Sequence, residues 1–223
     1  MTQMSSDVAG TARAEAAPAK RRNSPGRAAI RLLVIVSVLF LGLRWSGVLE
    51  STGFIHPRLT TFPTPPDAQD VFFQTSDGLK LHGWFLPALG RKAGDPPGPV
   101  VLHCHGNAGS IDEHISWSDF LTNRGISVFL FDYRSFGRSA DGGRWLTRND
   151  LMRDSRAALA YLKTRPDVDP KRIGVYGCSL GGAFALGLAA ENPSIACAAT
   201  VCTFSSWPAV ASDFVPVLSY VLI

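Results

Sequence analysis

Between Arg172 and Ala190 a strand, a sharp turn and a helix follow one another with no linker, and every other expectation for this chain is referred to that junction. Arg172-Ile-Gly-Val-Tyr176 is short, apolar and ends against Gly177, as a buried strand does. Ala183 to Ala190 is a run of small and apolar residues that reads as a tightly packed helix. Between them lies Gly177-Cys178-Ser179-Leu180-Gly181, a G-x-S-x-G pattern. In such a junction the serine occupies a strained strand-to-helix turn, and Gly177 and Gly181 leave room for strand and helix to approach. The turn exposes the Ser179 hydroxyl beside a helix N-terminus, whose partial positive charge favours a developing anion. Strand context before the motif and helix context after it set this instance apart from a chance match.

The flanking chain alternates in the way a parallel sheet requires. Val71–Ser76 and Leu79–Leu86 are strand-like and joined at Asp77-Gly78, a strong hairpin signal. Strands are then expected at 99–104, 126–132, 172–176 and 196–203, with helices at 111–123, from Thr147-x-x-Asp150 to about Lys163, and at 183–190. An opening hairpin followed by βαβ units predicts an α/β fold with a mostly parallel sheet and helices on both faces.

Ahead of that domain the chain changes character. Residues 1–27 are rich in Ala, Ser and Pro, end in basic residues, and predict a disordered basic tail. Leu32 to Leu43 is an uncharged run flanked by Arg31 and Arg44, and 28–49 is long enough for a transmembrane signal anchor if the arginines reach toward the headgroups. A cleaved signal and a buried helix are the alternatives; the lack of a small-residue cleavage pattern favours the anchor. The basic flank places the tail in the cytoplasm and the domain on the other side. Residues 50–70, with four prolines, are expected as a linker or extended entry segment, and 71–223 as the domain. Residues 1–50 hold seven Lys/Arg against three Asp/Glu, which accounts for the whole net charge of +4. The domain therefore has no net basic footprint for nucleic acid. The four cysteines lack metal-type spacing and are read as free, buried thiols.

Ser179 is the candidate nucleophile. The Leu180 N–H is one expected oxyanion donor, and Asn107, in the loop after the 99–104 strand, supplies the other, with Ala108 the alternative. Gly106 lets that backbone approach a carbonyl. His103 and His105, two apart on a strand, face one side and present a possible metal pair. No third ligand accompanies them, so the site is read as metal-free and cofactor-free, with His105 bracing the loop. Asp132 reads as a loop brace; Arg134 and Arg138 would meet either an acidic substrate group or a salt bridge.

The stretches His105-Gly-Asn-Ala-Gly109, Asp132-Tyr-Arg-Ser-Phe-Gly-Arg-Ser139 and G-x-S-x-G together resemble the α/β-hydrolase superfamily over residues 71 to 210. The branch related to the ABHD13/BEM46- and ABHD17-type serine hydrolases looks most similar. Ser135 stands where that branch has glycine. The resemblance implies a serine hydrolase acting on a small-molecule or lipid acyl substrate, an ester, thioester or amide. It also implies an acid and a histidine after the nucleophile. All five histidines (56, 82, 103, 105, 114) precede Ser179, and the only acids after it are Glu191 and Asp213. The expectation is therefore a C-terminally incomplete hydrolase domain, a truncated reading of a longer gene; a hydrolase-like binding module is the alternative.

Overall fold

The computed structural model describes residues 25–45, 55–92, 94–143 and 145–214. Helix α1 is Pro25–Trp45, and its residues up to Phe40 belong to a unit separate from the rest of the chain. Its apolar side chains from Ile30 to Leu41 are exposed, apart from the half-buried Phe40. Among the described residues no helix is long and apolar enough to cross a membrane. The uncharged run of α1, at about 1.5 Å per residue, covers roughly 18 Å, well short of the ~30 Å hydrocarbon core. The transmembrane helix expected over 28–49 is therefore not shown, and its last residues lie outside the described ones, as does the tail over 1–24.

The second unit is built on a six-stranded sheet. Its strands are β1 Gln69–Gln74, β2 Lys80–Leu86, β3 Gly98–Cys104, β4 Ser127–Phe131, β5 Val168–Cys178 and β6 Cys197–Val201, in the spatial order β1-β2-β4-β3-β5-β6. The β1–β2 and β2–β4 pairs are antiparallel; β4–β3, β3–β5 and β5–β6 are parallel. The Asp77-Gly78 hairpin forms as expected, with Gly78 at φ 84° and Thr75 N–H donating to Leu79 O at 2.9 Å. The helices are α2 Ile111–His114, α3 Arg148–Thr164, α4 Leu180–Glu191 and α5 Trp207–Phe214.

Alternation along the strands divides the core between two faces. Phe129 and Phe131 of β4 pack with Phe73, Leu102, Leu151, Leu159 and Leu188, under α3 and α4. Val128 and Leu130 pack with Trp84, Leu86 and Ile111 on the other side. Four successive β4 residues are thus fully buried, the mark of a strand covered on both faces. Helix α3 opens with a complete capping box, the Thr147 side chain and the Asp150 carboxylate each bonding the other's backbone N–H.

Three expectations change. The helix expected over 111–123 is a single turn, α2, followed by 3₁₀ turns at Ile115–Trp117 and Asp119–Arg124. Ser118, at φ −143°, breaks the run because it is drawn inward to hydrogen-bond His103. Residues 55–68 take the entry-segment alternative. Ile55 is buried in the core, Leu59 bridges to Gly137, and Phe62 packs edge-on against Trp84 at 5.1 Å. Finally, all four cysteines are free but only Cys104 and Cys178 are buried, because Cys197 lies on the exposed strand β6 and Cys202 just beyond it.

Candidate active site

Strand β5 ends at Cys178, helix α4 starts at Leu180, and Ser179 makes the turn alone. Its backbone, φ 50° and ψ −117°, lies in a region that costs a non-glycine residue about 1–3 kcal/mol. Three hydrogen bonds hold it there: Ser179 N–H to Val201 O at 2.9 Å, Gly182 N–H to Ser179 O at 3.0 Å, and Thr203 Oγ1 to Ser179 O at 2.8 Å. The flanking glycines are steric necessities. A Cβ on Gly181 would fall on the carbonyl oxygens of Cys104 and His105, and one on Gly177 would fall on the Gly181 carbonyl. The start of α4 is thereby seated directly against the end of β3. Leu180 is the first residue of α4, where backbone N–H groups have no partner within the helix.

The loop after β3 lies beside this turn. A Cβ on Gly106 would come 3.5 Å from the Cys178 carbonyl oxygen. His105 is fully buried and its Nδ1 meets Gly106 O at 2.7 Å. A carbonyl only accepts, so Nδ1 carries the proton. Burial pushes the His105 pKa down to about 3, against a raising effect from Asp132, and the ring is neutral. The Asn107 side chain accepts the His56 N–H at 2.9 Å, so the entry segment reaches the loop. Ser179, Leu180, Gly106 and Asn107 are therefore brought together at the C-terminal edge of the sheet.

His103 bonds Ser118 Oγ at 2.8 Å, and burial holds its pKa at about 3. Among the described residues no cluster of His, Cys, Asp and Glu is arranged to hold a metal ion. Asp132 braces: its Oδ1 accepts Ile111 N–H at 3.0 Å, and its Oδ2 accepts Arg138 N–H at 3.2 Å and meets His82 Nδ1 at 3.0 Å. The far nitrogen of His82 meets Asp70 Oδ1 at 2.9 Å. This Asp70–His82–Asp132 bridge was not foreseen, because its members lie 12 and 50 residues apart.

Of the two open roles for the arginines, the structure takes the salt bridge. Arg134, buried, forks onto Asp154 at 2.7–3.0 Å and reaches Asp77 at 3.0 Å; Arg138 meets Asp70 at 2.8 Å. Burial opposes the charge on Arg134, but the two carboxylates override it and raise its pKa above the ordinary value. Burial also raises the Asp154 carboxyl against the lowering effect of Arg134, and the forked contact is that of a charged pair. Glu191, eleven residues along α4 from Leu180 and so roughly 16 Å away, is paired with Arg156 at 2.6 Å. None of the five histidines hydrogen-bonds Ser179 among the described residues.

Residues 99–222 match the α/β hydrolase fold family. The chain belongs to the α/β hydrolases. It is 34% identical over 206 residues to protein YfhR of Salmonella typhi, covering 86% of this chain and 67% of YfhR. It is 33% identical over 135 residues to thiohydrolase aneE of Aspergillus aculeatus, covering 60% of this chain and 41% of that one. The esterase Pf2001 of Pyrococcus furiosus superposes with a TM-score of 0.54 at 28% identity, over 64% of this chain and 56% of the esterase. The chain thus spans 41–67% of these three proteins. Residues 168–191 form the strand, serine turn and helix of this fold, and 105–109 is the loop beside that turn.

Proposed function

We propose that this α/β hydrolase is a serine hydrolase that cleaves an acyl ester, thioester or amide at Ser179. The observation that carries the reading is the backbone of Ser179, held in a costly conformation by three hydrogen bonds at the start of a helix. A serine needed only for structure has no reason to be kept there. The names of two similar proteins, a thiohydrolase and an esterase, agree with acyl transfer to water. Ser179 Oγ attacks the acyl carbonyl, and the oxyanion is received by the Leu180 and Asn107 N–H groups. The hydroxyl proton passes to a base and then to the leaving group; water next releases the acyl group and restores the hydroxyl. Among the described residues no histidine hydrogen-bonds Ser179, so the structure assigns that base to none of them. The same observation favours the second reading, a hydrolase-like domain that binds an acyl compound without turning it over.

A fluorophosphonate probe separates the two. Stoichiometric labelling that disappears in Ser179→Ala supports the hydrolase. Where no base acts, an oxyanion hole and binding alone leave roughly 10³–10⁴-fold acceleration over water, and labelling is correspondingly slow. Absence of labelling, with a fluorescent acyl analogue still bound, supports the binding domain. We also propose that residues 28–49 attach the chain to a membrane, with the basic tail cytoplasmic and the hydrolase domain on the other side. The reading rests on the exposed apolar side chains of α1 and on Arg27 and Arg31 at its N-terminal end.

A further inference from the structure

We propose that His114, on the single-turn helix α2 and outside every motif of the sequence, is a positioning residue for the oxyanion loop. Its Nε2 meets Ala108 O at 2.7 Å, and because the carbonyl accepts, Nε2 carries the proton. Nδ1, though buried, has no partner among the described residues. The same ring lies under Gly106: a Cβ there would meet His114 Cε1 at 3.2 Å and Nε2 at 3.7 Å, with the Cys178 carbonyl at 3.5 Å. His114 thus touches the loop at two points and sits where the loop meets the elbow. Its ring centroid is 5.5 Å from that of His105, which holds the Gly106 carbonyl.

The consequence follows from peptide planarity. In a trans peptide the C=O of one residue and the N–H of the next point in opposite directions. His105 turns the Gly106 carbonyl toward its own ring, so the Asn107 N–H points away from that ring. His114 pins the peptide on the far side of Ala108 in the same manner, and the His56 N–H holds the Asn107 side chain. With the 106–107 peptide held through its own carbonyl by His105 and the 108–109 peptide held by His114, the 106–107 plane has little freedom to rotate. A donor aimed before the reaction costs no reorganisation when charge develops. What the loop requires is the Nε2–H donor, delivered at a fixed point.

This inference rests on the proposed serine hydrolase, and its test separates the two ideas. His114→Phe keeps a ring of similar size and removes the donor; His114→Gln places an amide N–H close to the Nε2 position. In the full chain, backbone hydrogen–deuterium exchange over 106–111 should rise at least about tenfold in H114F and stay near wild type in H114Q. Second-order labelling of Ser179 by a fluorophosphonate should fall about tenfold or more in H114F, a fraction of the roughly 10²–10³ lost with a whole oxyanion donor, and recover in H114Q. Equal exchange in H114F and wild type overturns the proposal, whether or not the protein labels. Equal disturbance in both variants also overturns it, since volume and not the donor would then be at issue. Raised exchange with an unchanged labelling rate overturns the catalytic part. If neither wild type nor variants label, the serine-hydrolase reading fails alone, and exchange still decides whether His114 orders the loop.

Discussion

Ser135 takes φ 62°, a left-handed conformation that costs an L-residue about 1–2 kcal/mol and glycine almost nothing. Two hydrogen bonds offset the cost: Ser135 Oγ donates to Asp141 Oδ1 at 2.8 Å and accepts the Gly142 N–H at 2.8 Å. At about 1 kcal/mol each, they cancel the strain. Ser135→Gly should therefore change stability by no more than about 1 kcal/mol, whereas Ser135→Ala, which keeps the strain and loses both bonds, should cost about 1–2 kcal/mol. Urea unfolding of the two variants checks the order; an alanine variant as stable as the glycine one would refute the account. Asp154 presents the opposite case, a buried carboxylate that cannot be given up. Asp154→Ala would leave the Arg134 guanidinium buried with only Asp77 and, at 3.5 Å, Asp150 as anionic partners. Breaking such a pair costs about 3–5 kcal/mol, which thermal melting would show as a large drop.

Elements whose signals are local in the chain are legible in the sequence. The Thr147 cap spans four residues, and both of its reciprocal bonds form. Thr147→Ala should destabilise the protein by about 1 kcal/mol, read by urea unfolding, with no change in Ser179 labelling. The strand–serine–helix turn was equally legible, since Gly177, Ser179 and Gly181 lie within five residues and the strand and helix beside them have clear periods. Elements set by distant partners were not legible. Ser118 looks like an ordinary polar position in a helix until His103, fifteen residues back, takes its hydroxyl and the helix breaks. The carboxylates on either side of His82, and the carbonyl that His114 holds, likewise depend on the folded chain and leave no trace in hydrophobic pattern. Helix α1 was legible as an element, and its surroundings were not. If residues 28–49 anchor the chain, a carbonate wash should leave it in the membrane pellet and removal of residues 1–50 should release it; full-length protein in the supernatant removes the anchor.

At the scale of the whole molecule, the buried histidines tie stability to pH. His103 and His105 are fully buried, and burial lowers both pKa values to about 3. In the unfolded chain each titrates near 6.5, so below that pH the unfolded state binds protons that the native state refuses. The stabilisation is complete above about pH 6.5 and is lost as pH falls toward 3, at up to about 1.4 kcal/mol per pH unit for each histidine. Asp70 and Asp77 act in the same direction but lower. Burial would raise Asp70, yet hydrogen bonds from His82 and Arg138 hold it below the ordinary carboxylate range; Arg134 does the same for Asp77. Their contribution is lost only as pH falls below about 4. The urea midpoint should therefore start to fall near pH 6.5, well above the range where carboxylates protonate. His105→Asn tests the assignment, because the amide N–H can still reach the Gly106 carbonyl and does not titrate. Between pH 6 and 4.5 its stability should decline less steeply than wild type by about one proton. An undiminished slope would place the proton uptake elsewhere in the chain.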